Sequence, residues 1–162
     1  MNNCIKLFSL TLFFLSLCAT SIAQKRNFSI SPIIGLTVPI LDKGSGLHFA
    51  VNPAYAVSSR FSIESQLSYS YANIDGKFLS GEKDFQENFN ALIGGRLYVL
   101  SDEKKIRPYF NLLLGGMLNR RSDYEEYIFG LSTGFFVDIN RFLVGLSLET
   151  PGYGIFKVGY VF

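Results

Sequence analysis

Apolar and polar residues alternate with a period of two along most of this chain. The clearest stretch is residues 61–71. Phe61, Ile63, Ser65, Leu67, Tyr69 and Tyr71 form one set, and Ser62, Glu64, Gln66, Ser68 and Ser70 the other. Strict alternation puts such sets on opposite faces of a β-strand. The same period predicts further strands over residues 27–40, 47–57, 85–100, 107–118, 127–139, 141–149 and 153–162. Each has an apolar face, such as Phe28, Ile30, Ile34, Leu36 and Val38 in the first strand or Phe142, Val144, Leu146 and Leu148 in the seventh. The last strand alternates through Phe156, Val158 and Tyr160 to Phe162, the final residue. An aromatic side chain at that position asks for a permanent pairing partner and apolar surroundings, and closure of a barrel against the first strand supplies the partner.

Two solvents are compatible with eight alternating strands. A soluble barrel of the lipocalin kind keeps its apolar face inside, whereas a membrane barrel turns it toward lipid. The polar face decides between them. It is rich in small or uncharged residues: Gly35, Thr37, Ser68, Ser70, Gly130, Ser132, Gly134, Gly145 and Ser147. A solvated exterior would carry more Lys and Glu, whereas a narrow interior needs small residues and a few mutually neutralising charges. The strands are long enough to cross a bilayer when tilted, which takes about 9–11 residues. The predicted fold is therefore all-β: an eight-stranded antiparallel up-and-down transmembrane β-barrel. Aromatics sort toward the strand ends, with Phe28, Phe61, Phe110, Phe142 and Phe162 at one rim and Tyr69, Tyr71, Phe85, Phe89 and Phe129 at the other. Two such girdles are expected where a barrel meets both interfaces.

The N-terminus predicts export. Lys6 precedes the apolar run 7–17, and Ser21 and Ala23 sit before Gln24 as a cleavage site, so residues 1–23 read as a signal peptide and 24–162 as the barrel domain. An anchor helix fits less well because the run is short. Lipidation at Cys18 fits less well because the bulky Leu17 precedes it. Both cysteines, Cys4 and Cys18, fall in this segment, which leaves the mature chain without a disulfide framework, thiol nucleophile or cysteine-based zinc site. The net charge of +2 gives no nucleic-acid signature.

With the termini on one side, the connections alternate between rims. Those at 58–60, 101–106 and 138–141 are compact, while those at 41–46, 72–84, 119–126 and 150–152 include the longest. Outer-membrane barrels have short periplasmic turns and longer external loops, which predicts periplasmic termini. Two of the external connections are charged, through Asp75, Lys77, Glu82, Lys83 and Asp84 and through Arg120, Arg121, Asp123, Glu125 and Glu126. They are expected to be loops facing lipopolysaccharide, another protein or solvent.

Three stretches carry a family resemblance: Arg107-Pro108-Tyr109-Phe110 with Gly115-Gly116, the strand with Glu64, Leu67 and Tyr69, and the end Lys157-Val158-Gly159-Tyr160-Val161-Phe162. In these the chain resembles the small bacterial outer-membrane barrels of the outer membrane protein X, W and A types and their relatives in Bacteroidetes-like bacteria. The resemblance implies an outer-membrane location. It also implies that Lys157, Gly159, Tyr160 and Phe162 form a signal read by the barrel assembly machinery. It does not imply one activity, because the same barrel hosts structural, adhesive and enzymatic members.

Inside the barrel, Arg60, Glu64, Arg96, Glu149, Lys157 and His48 are expected to form a polar network together with Asn111. Glu149 and Lys157 fall on neighbouring strands, at different heights. Buried charges must pair or be hydrated, and eight strands leave an interior just wide enough for side chains. The expected interior is thus a side-chain plug; a narrow path for protons or small apolar solutes is the alternative. A repeat, F-N-x-L-x-G-G-x-L, occurs at 89–97 and 110–118. It reads either as paired glycines making room for large interior side chains or as a paired ligand groove. A lipid A-modifying enzyme would need a His–Ser–acid set near the external rim. The single histidine, His48, is followed by Phe49 and Ala50, with no serine two residues on. No catalysis, cofactor or metal is expected. The expected partners are outer-membrane lipid and lipopolysaccharide, and the assembly machinery during biogenesis. A monomer is expected.

Overall fold

The computed structural model describes residues 28–40, 44–75, 83–100, 105–121 and 124–162. The segment read as a signal peptide lies outside them, as do Gly76, Lys77, Gly81, Glu82 and Asp123 of the charged connections. Eight strands follow in order: β1 (Phe28–Pro39), β2 (Gly44–Ala56), β3 (Phe61–Asp75), β4 (Lys83–Tyr98), β5 (Ile106–Arg121), β6 (Tyr124–Ile139), β7 (Phe142–Glu149) and β8 (Tyr153–Tyr160). Each pairs antiparallel with its neighbour, and β1 also pairs with β8, so the sheet closes into a barrel. The closing seam puts Ile33 opposite Gly159, Gly35 opposite Lys157 and Thr37 opposite Ile155. Val161 and Phe162 lie just past β8 yet remain tied on both sides. The Val161 N–H donates to Arg141 O at 2.7 Å, and the Phe162 N–H to Ile30 O at 3.0 Å.

The polarity is the inverse of a soluble protein. Phe28, Ile34, Leu36, Val38, Leu67, Ile93, Leu97, Phe110, Leu112, Phe142, Leu146, Leu148 and Phe156 are among the exposed apolar side chains. Glu64, Gln66, Arg96, Glu149 and Lys157 are among the buried ones. Nearly all residues expected to point outward do so, but Ile30, expected outside, is buried at 8%; its carbonyl is the one that Phe162 binds. Aromatic pairs collect at the two ends: Tyr69–Phe89 and Tyr71–Phe85 at one, with centroids 4.7 and 5.5 Å apart, and Phe110–Phe135 and Phe142–Tyr160 at the other, at 5.0 and 5.4 Å.

The connections differ from the sequence expectation. Residues 72–75 and 83–84 continue the β3–β4 ladder to the pair Asp75↔Lys83. Residues 119–121 and 124–126 continue the β5–β6 ladder to Arg121↔Tyr124. Much of the two expected charged loops is therefore strand. The reason is physical: alternation is visible only where the outward face is apolar, and the outward positions of these strand tips, such as Asn73, Arg120 and Glu125, are polar, while backbone pairing continues regardless. The wall is consequently uneven, tall at β3–β6 and short at β7–β8, where each strand has eight residues.

Interior space is set partly by glycine. A Cβ on Gly134 would come within 2.6 Å of the Phe136 ring, and one on Gly130 within 2.7 Å of Leu92. Their missing side chains make room for these larger inward neighbours.

Candidate functional site in the barrel interior

Alternation turns every second residue of each strand inward, and register then decides which of them meet. Among the described residues these meetings include two buried ion pairs. In the first, β3 supplies Glu64 and β4 supplies Arg96. Arg96 donates from Nε to Glu64 Oε2 at 3.2 Å and from Nη2 to Oε1 at 2.8 Å, the two-pronged geometry that suits a planar guanidinium. Glu64 also accepts from Asn52 Nδ2 at 2.7 Å and, at the limit of a hydrogen bond, from Asn111 Nδ2 at 3.5 Å. The rest of the guanidinium is held by aromatics. Arg96 Nη1 donates to the Tyr98 hydroxyl at 3.0 Å, which donates onward to Asp138 Oδ2 at 3.1 Å. The Tyr109 ring lies 4.4 Å from Arg96 Cζ, and the Arg107 guanidinium stacks 3.8 Å over Tyr98, both within cation–π range.

The second pair joins β7 to β8. Lys157 donates to Glu149 Oε1 in a short contact and to Gln66 Oε1 at 3.2 Å. Glu149 Oε1 also accepts from Gln66 Nε2 and Ser132 Oγ, both at 3.0 Å. Backbone register does separate the two residues, since Lys157 faces Gly145 while Glu149 faces Tyr153. The expected difference in height is thus present in the backbone, and the four-carbon stem of lysine spans it. Gln66 is the hinge between the two centres. It touches Glu149 and Lys157 on one side and Asn52, the partner of Glu64, at 3.5 Å on the other.

Apolar side chains lie toward both ends of this polar belt. Tyr98, Tyr109, Phe136 and Leu143 cluster with Ile33 and Ala50 at one, and Ala72, Tyr153 and Ile155 at the other. Tyr109 and Phe136 stack with centroids 5.2 Å apart. At the opposite end the Tyr153 hydroxyl donates to Gln86 Oε1 at 2.6 Å, and Gln86 donates to Asn119 at 2.7 Å.

Glu64, Arg96, Glu149, Lys157 and Asn111 therefore converge inside. Arg60 does not. It sits exposed in the β2–β3 turn, and its expected inward position is corrected. The Ser58 hydroxyl accepts from the Arg60 and Phe61 N–H groups at 3.3 and 3.1 Å, a serine turn that ends the alternation before β3 begins. His48 is inward and fully buried. Its Nδ1 lies 2.8 Å from Ser70 Oγ, and its Nε2 has no hydrogen-bond partner among the described residues. No scan of neighbours along the chain finds this serine, because it is 22 residues away and arrives by the pairing His48↔Ser70. Since His48 is 0% and Ser70 1% exposed, the pair offers no surface to a substrate. Sequence reasoning also missed Asn52, Gln66, Tyr98 and Asp138. The signal was available for Gln66, which lies on the polar face of the clearest strand.

No family model matches the sequence, and no curated protein matches it. Solved structures do resemble the fold. The Ail attachment invasion locus protein of Yersinia pestis, determined in complex with the heparin analogue sucrose octasulfate, superposes with a TM-score of 0.52 at 13% identity, covering 83% of this chain and 96% of that one. The outer membrane protein OprG of Pseudomonas aeruginosa superposes with a TM-score of 0.50 at 11% identity, covering 85% and 97%. The chain thus has the fold of the small eight-stranded outer-membrane β-barrels.

Proposed function

We propose that the mature chain is a non-enzymatic integral barrel of the bacterial outer membrane, with a structural or surface-interaction role and a lumen plugged by its own side chains. One observation carries this reading: large apolar residues cover the outside while two ion pairs are sealed inside. Water would penalise that outer face, and lipid accepts it. A closed barrel also satisfies its backbone without an edge, which a bilayer demands.

The plug reading rests on the continuous bonding from Glu64 through Asn52 and Gln66 to Glu149 and on the aromatic and aliphatic clusters beyond it. The surface role rests on the tall β3–β6 wall, whose tip pairs Arg120 with Glu125 at 2.8 Å. On this reading that tip is external, the termini are periplasmic, and the C-terminal Lys157, Gly159, Tyr160 and Phe162 serve the assembly machinery. The likeness in fold to Ail, an attachment invasion locus protein, supports the surface role.

The test is twofold. The mature protein refolded in detergent is expected to run at different positions on a denaturing gel when heated and unheated, and in a planar bilayer to show no sustained conductance. A detergent-free soluble protein with a single gel position would overturn the membrane reading. Sustained conductance steps would overturn the plug.

A further inference from the structure

Two hydrogen-bonded bars cross the lumen at different heights. One runs from β8 to β4, where the Tyr153 hydroxyl donates to Gln86 Oε1 at 2.6 Å. The other runs from β3 to β7 and β8, where Gln66 donates to Glu149 at 3.0 Å and accepts from Lys157 at 3.2 Å. In a closed ring of eight strands β4 stands opposite β8, and β3 opposite β7. Each bar therefore spans the full width of the barrel.

A thin layer of inward residues separates the bars. On β4 it is Asn88, between Gln86 and Asn90, and Asn90 itself reaches Glu149 at 3.5 Å. On β8 it is Ile155, between Tyr153 and Lys157. On β3 it is Ser70, next to Ser68, which accepts from both Gln66 and Asn90 at 3.2 Å. His48, Ser70 and Asn88 are cross-strand neighbours in one row, and all three are buried. Ser70 is spent on His48 Nδ1 at 2.8 Å. His48 Nε2 and both Nδ2 and Oδ1 of Asn88 have no partner among the described residues. The same holds for Thr37 Oγ1, beside Ile155 on β1. Asn88 differs in this from Asn52, Asn90 and Asn111, each of which donates to a carboxylate.

A buried polar group left dry loses its hydration for nothing in return, so native interiors pair nearly all such groups with protein or with ordered water. The demand of this row is mixed. Asn88 brings two donor hydrogens and an acceptor oxygen, and Thr37 a hydroxyl that takes either role. A bare anion would leave Asn88 Oδ1 unmet, and a bare cation would leave the amide hydrogens unmet. Water both donates and accepts, and a buried water typically makes about three hydrogen bonds.

We infer that the layer between the bars is an internal water-binding site anchored by Asn88 and His48 Nε2, and that the Tyr153–Gln86 bar seals it from the mouth at that end. The inference rests on the plug reading and deepens it: the plug is two side-chain bars with bound water between them.

The experiment is NMR of the mature protein refolded in detergent micelles, with 15N-labelled asparagine, on preparations whose conductance is also read in a planar bilayer. Sustained conductance would overturn the plug and the sealed site with it; a non-conducting barrel without the water signal would overturn the site alone. The expected signal is cross-relaxation between water and the Asn88 side-chain amide protons, with laboratory-frame and rotating-frame effects of opposite sign, as a long-held water gives. It should persist in Ser70→Ala, which removes the exchanging hydroxyl nearest to Asn88; its loss there would assign it to that hydroxyl and overturn the site. Asn88→Val, close in size, supplies an independent sign. With water bound, it removes an anchor, leaves His48 Nε2 unmet and lowers the urea midpoint, which is the expected result. In a dry layer it removes an unpaired polar group, and a raised midpoint would overturn the site. Tyr153→Phe deletes the hydroxyl of the sealing bar and is expected to speed solvent exchange of the Asn88 amide protons at least tenfold. An unchanged rate would overturn the seal.

Discussion

Replacing Arg96 by methionine tests the account of the interior most directly. The substitution keeps an unbranched chain of similar length and strips Glu64 of its two guanidinium bonds, at 3.2 and 2.8 Å. Glu64 keeps only Asn52 at 2.7 Å and the marginal Asn111 contact. Hydrogen bonds to charged groups contribute about 1.5–3 kcal/mol each, so losing two costs about 3–6 kcal/mol. Breaking buried ion pairs from one side costs about 3–5 kcal/mol. The two routes agree on about 4 kcal/mol, a large share of the roughly 5–15 kcal/mol that holds a typical domain together. Glu64→Leu alone is expected to cost a similar amount, because it strands Arg96. The double variant Glu64→Leu/Arg96→Met should recover most of the loss, since an apolar pair leaves no charge unpaired. The chain has no tryptophan, so unfolding in urea is best followed by circular dichroism and by the gel position of unheated samples in lipid vesicles. A cost below about 1 kcal/mol for Arg96→Met, or a double variant as unstable as the sum of the singles, would refute the claim that Glu64 and Arg96 act as a buried unit.

Four further outcomes follow from the same geometry. Ser70→Ala leaves His48 Nδ1 without its partner at 2.8 Å and should cost about 1–3 kcal/mol in the urea titration; the lipid A acylation profile of cells carrying His48→Ala should match wild type, and an altered profile would revive the enzyme reading. Gly134→Ala brings a Cβ within 2.6 Å of both the Phe136 ring and the Leu146 carbonyl, and overpacking of this kind should lower stability by about 1–3 kcal/mol. Phe162→Ala keeps the backbone bond to Ile30, so the refolded barrel should keep most of its stability while the folded fraction in the outer membrane of cells falls; equal loss in both assays would assign Phe162 a packing role instead.

The interior was legible in part. Glu64, Arg96, Glu149 and Lys157 follow from parity alone, because a side chain opposite an apolar face must point inward. Arg60 was misplaced because parity was extended into a turn that Ser58 closes. The pairing of Glu64 with Arg96 depends on a register that puts Ser62 opposite Arg96 and Glu64 opposite Gly94, and nothing local reveals it. His48 and Ser70 show the same limit, being cross-strand partners with no signal in the intervening residues.

Period-two patterning by itself determined that this chain makes strands, how many there are, and which face of each is apolar, since alternation is a local consequence of strand geometry. The small, lightly charged polar face further implied that the apolar side looks outward. Only the tertiary structure decided how far the strand tips extend, which inward charges meet, and that the row of His48, Ser70 and Asn88 lies between two bars across the lumen. Those outcomes depend on the stagger between strands and on closure of β1 against β8. Both bring together residues far apart in the chain, and a pattern read along one strand carries no information about its neighbour's register.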